Sequence, residues 1–252
     1  MTRPRLRLDV LLVERGLAAS RERARALVIA GQVRIEGQPA TKAGTLVRPD
    51  ADVTLALPDH PYVSRGGLKL AAALDAFEIE VSGRTALDIG ASTGGFTDVL
   101  LQRGATRVLA LDVGYGQLDW RLRTHPRVVV LERVNARMLA ADQLPQDLRS
   151  FDIITIDVSF ISLRYILPGV PPLLKDPGDV IALVKPQFEA GRAEVGKGGI
   201  VRDPQVHARV IAEITSAADT LGLKRVALVA SPIAGMEGNQ EFLLHLRNAP
   251  HP

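Results

Sequence analysis

The sequence contains no cysteine, which excludes a disulfide framework, a thiolate nucleophile and a cysteine-built zinc site. It has no run of about 18 apolar residues, the length that a membrane-crossing helix needs. Its first residues, MTRPRLRLDVLLVERG, lack the apolar stretch and small-residue cleavage site of a secretion signal. The expectation is a cytoplasmic protein with no membrane segment and no structural metal. Internal repeats and low-complexity tracts are also missing, and most of the chain carries no excess of either charge. Residues 61–252 hold 21 basic and 21 acidic side chains, so the formal charge of +3 arises within residues 1–60, where ten basic residues face seven acidic ones.

The 252 residues, 46% hydrophobic and 23% charged, exceed the usual single domain of roughly 100 to 200 residues, so a small domain ahead of a full-sized one is expected. Within residues 1–34, Arg3, Arg5, Arg7, Arg15, Arg21, Arg23, Arg25 and Arg34 stand against only Asp9, Glu14 and Glu22. Guanidinium groups suit phosphate because they bond two oxygens at once while displacing counterions. Taken alone, such a stretch is equally the solvated face of a helix. Leu8, Leu11 and Leu12 recur at helical spacing up to Gly16. Ser20 then offers an N-cap for a second helix carrying Ala24, Leu27 and Val28 and stopping at Gly31. Val33 and Ile35 alternate into a turn at Glu36-Gly37, and Val53-Thr54-Leu55 reads as another strand. The run RLDVLLVERGLAASRERARALVIAGQVRIEG resembles the S-four-like RNA-binding fold of a small-subunit ribosomal protein across roughly residues 6–55. That resemblance implies RNA contacts at Arg7, Arg21, Arg25 and Arg34.

The proline-bearing stretch from Leu57 to Pro61 marks a linker, dividing the chain into an RNA-binding domain at 1–57, a linker at 58–63 and a catalytic domain at 64–252. Beyond it, GGLKLAAALDAF reads as a helix. Strands are then expected near 85–88, 107–111, 128–131, 153–157, 179–184, 225–230 and 241–246, alternating with helices as in a parallel sheet covered on both faces. Residues 204–221 make a well-signalled helix, with Asp203 as cap, Pro204 at the first position and Gly222 beyond its end. The fold class expected is α/β, a doubly wound, mostly parallel sheet whose last strand is antiparallel, preceded by a small α+β RNA-binding domain.

The segment TALDIGASTGGFTDVLLQRGA is a strand, a glycine-rich turn and an amphipathic helix. Glycines let backbone approach a ligand closely, and a helix amino end offers free amide donors. A second strand ends at Asp112, where a carboxylate can accept from a ribose diol. A nicotinamide dinucleotide and S-adenosylmethionine both suit such a site. The glycines fall at Gly90, Gly94 and Gly95 rather than in GxGxxG, and Asp88 precedes them, which resembles the first motif of class I methyltransferases and implies S-adenosylmethionine as cofactor. Asp88 is the expected acidic neighbour of the sulfonium, with Gly90, Ser92, Gly94, Gly95, Phe96 and Asp112 lining the rest. Asn135, after the third strand, either meets the adenine edge or caps the next helix.

Asp157 closes DIITID and Lys185 closes DVIALVK, so both belong at the carboxyl edge where open α/β sheets bind ligands. Glu241 opens EFLLHL, and an antiparallel strand would start at that same edge; Lys69 lies in the first turn of the helix leading to strand one. Four distant positions thus converge on one rim. Here the segments SRGGLKL, DIGASTGGF, DVGYGQLDW, IDVSFISL, LVKPQFE and GNQEF resemble the TlyA family of ribosomal RNA 2'-O-methyltransferases over essentially the whole chain. The related FtsJ-type enzymes share a Lys-Asp-Lys-Glu tetrad that maps by motif onto Lys69, Asp157, Lys185 and Glu241. The resemblance implies a cytidine ribose 2'-hydroxyl of ribosomal RNA as acceptor, in the large subunit given how soon the chain ends after its last strand, with the small subunit as the other option.

A ribose hydroxyl is a feeble nucleophile, so the protein must position and deprotonate it. A lysine of ordinary pKa near 10.4 would need a shift of about three units to act as a base at neutral pH, and flanking carboxylates oppose that shift. Lys185 is therefore expected mainly to orient the hydroxyl and stabilise the developing alkoxide, with proton acceptance open. Residues 186–201, PQFEAGRAEVGKGGIV, form either a loop that orders over RNA or a plain connector. A noncatalytic RNA-binding or assembly factor and a pore-forming haemolysin, a label that members of this family have carried, are the alternative functions, and no basic amphipathic surface pattern supports the latter.

Overall fold

The computed structural model describes residues 5–18, 20–55, 60–235 and 238–248. The amino-terminal module begins with β1 (Leu6–Arg7), α1 (Leu8–Glu14) and α2 (Arg21–Ile29), followed by β2 (Val33–Ile35), β3 (Gln38–Pro39), β4 (Leu46–Val47) and β5 (Val53–Leu55). Ser20 caps α2, its hydroxyl accepting from the Arg23 amide at 3.1 Å. The strands form two small antiparallel sheets, β1 with β4 and β3-β2-β5. Leu8, Leu11, Leu12, Leu27, Val28 and Val33 close a separate small core, as the leucine spacing foretells.

The remainder runs α3 (Gly66–Ala76), β6 (Thr85–Ile89), α4 (Gly95–Gln102), β7 (Arg107–Asp112), α5 (Trp120–Arg123), β8 (Val128–Glu132), β9 (Phe151–Ile156), β10 (Leu174–Val184), α6 (Pro186–Glu189), α7 (Pro204–Thr220), β11 (Leu223–Ala230) and β12 (Phe242–Asn248). Seven of these strands make one sheet in the order β11-β12-β10-β9-β6-β7-β8. β6, β7, β8, β9 and β10 pair in parallel, and β12 alone runs antiparallel to both its neighbours. Alternate residues of each strand point to opposite faces. Ala86, Val108, Ile153 and Ile181 meet Leu70, Leu74, Val99 and Leu100 of α3 and α4 on one face. Leu87, Leu109, Ile154 and Val180 meet Val210 and Ile214 of α7, with Leu167 and Val170, on the other. Burying each such side chain stabilises by about 1.5–3 kcal/mol, which is why these strands read as continuous apolar runs. The central strand reaches further than 179–184, its extra turn joining through a register shift between Leu174 and Asp179.

Of the linker expected at 58–63, Pro58 and Asp59 lie outside the described residues. Val63 is buried, its amide donating to Asp98 at 2.8 Å and its carbonyl accepting from Gln32 at 3.3 Å. Among the described residues no helix is long and apolar enough to cross a membrane.

Asp179 of β10 is a buried carboxylate between strands. Burial opposes its charge, but bonds from His245 (2.7 Å), Arg247 (2.6 Å) and Arg84 (2.7 Å) prevail and hold its carboxyl well below the usual carboxylate range. A depressed carboxyl contributes stability above the unfolded pKa near 3.9 and loses it as pH falls below that value. Asp179→Asn should therefore cost on the order of 2 kcal/mol at pH 7 and flatten the acid limb of a pH series of urea unfolding. An acid limb as steep as that of the parent protein would contradict the assignment.

Candidate active site

The strand β6 delivers the chain into its glycine turn at the carboxyl edge. Gly90 has φ +87°, and a Cβ there would lie 2.4 Å from the Asp157 carbonyl oxygen, so only glycine lets β6 and β9 approach at this point. The Gly90 and Ala91 amides both donate to the Leu111 carbonyl, at 2.8 and 3.0 Å, and the Asp157 amide donates to Ile89 at 2.9 Å. Gly94, at φ +98°, admits no Cβ because Leu122 Cδ1 would sit 2.2 Å away. The turn thus has small side chains and is stitched to both neighbouring strands. It borders a cavity of about 670 Å³, with Gly90, Ala91, Ser92, Thr93, Gly95 and Phe96 in its wall. Cavities of roughly 300–1,000 Å³ hold cofactor-sized ligands, and the first-turn amides of α4 have no intrahelical partners.

Lys69, Asp157, Lys185 and Glu241 all line this one cavity. They form two ion pairs. Lys185 Nζ lies 2.6 Å from Asp157 Oδ1 and donates to Ser159 Oγ at 2.9 Å. Lys69 Nζ donates to Glu241 Oε2, both side chains being largely shielded from solvent. Asp157 and Lys185 follow the ends of β9 and β10, Glu241 precedes β12, and Lys69 stands in α3. The antiparallel course of β12 is what brings Glu241 to the edge where the parallel strands end.

Asp88 departs from expectation. It is fully buried and does not line the cavity. Its carboxylate accepts instead from Thr97 at 2.7 Å and Thr155 at 2.9 Å, tying α4 and β9 to β6. A carboxylate placed on that face of the strand supports the turn from behind. Burial pushes its carboxyl up to about 7; the two threonine hydroxyls oppose that shift and nearby Asp157 adds to it.

Asp112 holds the turn through the Ser92 amide (2.7 Å) and the Gly114 amide (2.6 Å). Asn135 is exposed and accepts from the Arg137 amide at 3.0 Å, the capping alternative. In the amino-terminal module Arg7, Arg21 and Arg25 converge on buried Asp9 at 2.9, 3.1 and 3.5 Å, each side chain about half exposed. One carboxylate thus gathers three guanidiniums, leaving a net positive cluster. Arg34 is exposed and donates to the Gly37 carbonyl at 3.1 Å.

The cavity wall also holds Ser64, Arg65, Ser159, Phe160, Gln187 and Phe188, which sequence reasoning did not single out. Four of them follow Asp157 or Lys185 within three residues, in SFISL and KPQFE, so adjacency to a strand-end charge was the available signal. The Phe160 ring is 90% exposed and lies 5.0 Å from that of Phe188. Within 186–201, Val195, Gly198 and Gly199 reach the wall. The buried Asn239 side chain ties this segment down through the Val201 amide (2.9 Å) and the Gly199 carbonyl (2.8 Å).

A parallel sheet closed by one antiparallel strand, with a glycine turn and a cavity at its carboxyl edge, defines a class I methyltransferase fold. Residues 62–248 match the FtsJ-like methyltransferase family and residues 6–53 match the S4 domain. The chain belongs to the TlyA family of FtsJ-like methyltransferases. It is 50% identical over 96% of its length, and 90% of the relative's, to the Mycobacterium tuberculosis protein named 16S/23S rRNA (cytidine-2'-O)-methyltransferase TlyA. A Bacillus subtilis protein, YqxC, provisionally named an rRNA methyltransferase, is 51% identical over 98% of this chain and 87% of its own. A solved Streptococcus thermophilus structure bearing a provisional hemolysin label superposes with a TM-score of 0.76 at 44% identity, covering 99% of this chain and 90% of that one.

The raised Asp88 carboxyl has a thermodynamic consequence. Between about pH 4 and pH 7 the unfolded chain loses a proton that the folded chain keeps, so this group makes stability fall as pH rises and level off above about 7. Asp88→Asn should remove that slope. The difference between variant and parent in urea unfolding should shift in the variant's favour from pH 4 to pH 7, and a constant difference would refute the burial argument.

Proposed function

We propose that this methyltransferase uses S-adenosylmethionine to methylate the ribose 2'-oxygen of a cytidine in ribosomal RNA, acting in the cytoplasm. The observation that carries the reading is the meeting of two lysine–carboxylate pairs on one cavity beside the glycine turn. That cavity suits the cofactor by its volume, its small-residue wall and the free amides at the start of α4. Gly90, Ser92, Gly94, Gly95 and Phe96 would hold the cofactor, with Asp112 at the end of the neighbouring strand. When bound, it supplies a methyl group already activated by sulfonium charge.

The remaining work falls to the chain's own groups. An ammonium has three N–H donors; Ser159 Oγ accepts from one of those on Lys185, while the Asp157 carboxylate pairs with its charge. Another of its donors would meet the incoming ribose oxygen and steady the charge that develops there as the hydroxyl attacks the methyl carbon, the carbon–sulfur bond breaking and the hydroxyl proton leaving to water. The Lys69–Glu241 pair adds no net charge and fixes the start of β12 against α3. Holding the two reactants in line supplies much of the rate. Arg7, Arg21, Arg25 and Arg34 would anchor the RNA through phosphates, which positions without specifying.

Labelled cofactor incubated with ribosomal RNA of both subunits, followed by mass mapping, tests the reading. Large-subunit RNA is the proposed substrate, and small-subunit RNA belongs in the assay because the Mycobacterium tuberculosis relative is named for both. The expected product is 2'-O-methylcytidine, and methylation of a base, or none, would overturn it. Lys185→Ala should lower transfer by at least roughly a hundredfold while calorimetric affinity for the cofactor stays within about twofold. Parent-like turnover in that variant would remove Lys185 from its role.

A further inference from the structure

The wall of the catalytic cavity is not built by the methyltransferase sheet alone. Ile29, the last residue of α2 in the amino-terminal module, lines it together with Ser64 and Arg65. Two polar contacts fix α2 in that place. Gln32, just beyond the helix, donates to the Val63 carbonyl. Arg23, near the start of α2, pairs with Asp119 across 96 residues of sequence, Nη2 to Oδ2 at 2.5 Å, with side chains only 26% and 6% exposed. Asp119 caps α5 by accepting from the Arg121 amide, and its own amide donates to the carbonyl of Thr93 in the glycine turn. Leu118 and Leu122, on either side of it, occupy the space that a Cβ at Gly94 would need.

We propose that Arg23 is a positioning residue, whose ion pair with Asp119 latches the amino-terminal module to the cofactor turn and makes the catalytic pocket a composite of both domains. Arg21 and Arg25, on the same short helix, face the other way towards Asp9. One helix therefore carries two arginines for the RNA face and one for the domain contact. RNA held by the module is placed at a fixed distance from Lys185 only while the latch is closed. Loosening it leaves the phosphate contacts intact, so RNA still binds, but the target ribose is spread over many positions and the reacting fraction falls. The inference rests on the proposed RNA methylation for its catalytic readout, and on the protein alone for its structural one.

The variants are Arg23→Ala, Asp119→Asn and the double variant R23A/D119N. Asparagine keeps the helix cap while removing the charge, so Asp119→Asn does not unfold α5. At saturating RNA and cofactor, both single variants should lower the single-turnover methylation rate by about tenfold, the size of a lost shielded ion pair of about 1.4 kcal/mol. Equilibrium RNA affinity should stay within about twofold, and the double variant should be no slower than either single one. Weakened RNA binding with a salt slope lower by about one, and an intact rate at saturation, would make Arg23 a phosphate contact and overturn the latch. No effect, or losses that multiply in the double variant, would also overturn it. Hydrogen exchange of residues 113–123 in the full chain without RNA should be faster, to a similar extent, in all three variants, and unchanged exchange would refute the proposal whatever the RNA assays give. An inactive parent protein with the expected exchange pattern would count against the proposed function and not against the latch.

Discussion

The structure depends on bringing two lysines and two carboxylates out of four separate elements to one sheet edge. Each of these charges would be costly alone in a shielded cavity, and pairing is what makes them tolerable there. Lys185 with Asp157 and Lys69 with Glu241 neutralise one another before any ligand arrives. The reversed strand β12 is the topological price of this arrangement, since a parallel final strand would begin at the opposite edge and carry Glu241 away.

The glycine turn is the second constraint. Its backbone is pressed between the Asp157 carbonyl and the Leu118–Leu122 pair, and the buried Asp88 with its two threonines braces it from beneath. This rigidity lets a cavity of cofactor size persist beside the ion pairs instead of filling with side chains. The amino-terminal module adds Ile29 to the wall, so the site draws on three parts of the molecule: the sheet edge, the turn, and a helix from another domain.

Much of this was legible from residues alone. Apolar runs between helical segments identified the strands of the main sheet, most clearly the central ones, because strands buried on both faces must be apolar throughout. Strand ends placed Asp157 and Lys185, since the carboxyl edge follows from topology. Less legible was the direction of a side chain at a strand's last residues, where Asp88 turned inward to Thr97 and Thr155 and not to the cavity. Pairings across long separations were also hidden. Nothing local indicates that Asp9 gathers Arg7, Arg21 and Arg25, or that Arg23 leaves that group for Asp119. Such contacts exist only after the chain has folded. Phe160 and Gln187 escaped notice for a related reason, as their types carry no chemistry until a cavity surrounds them.

The account stands on a sulfonium donor lying against the two ion pairs. The most direct measurement is a crystal structure of the protein with S-adenosylhomocysteine, the demethylated product. The account predicts its amino-acid end in the Gly90–Phe96 turn and its sulfur facing Lys185 and Asp157. A product bound elsewhere, or with its sulfur turned away from both lysines, would contradict it.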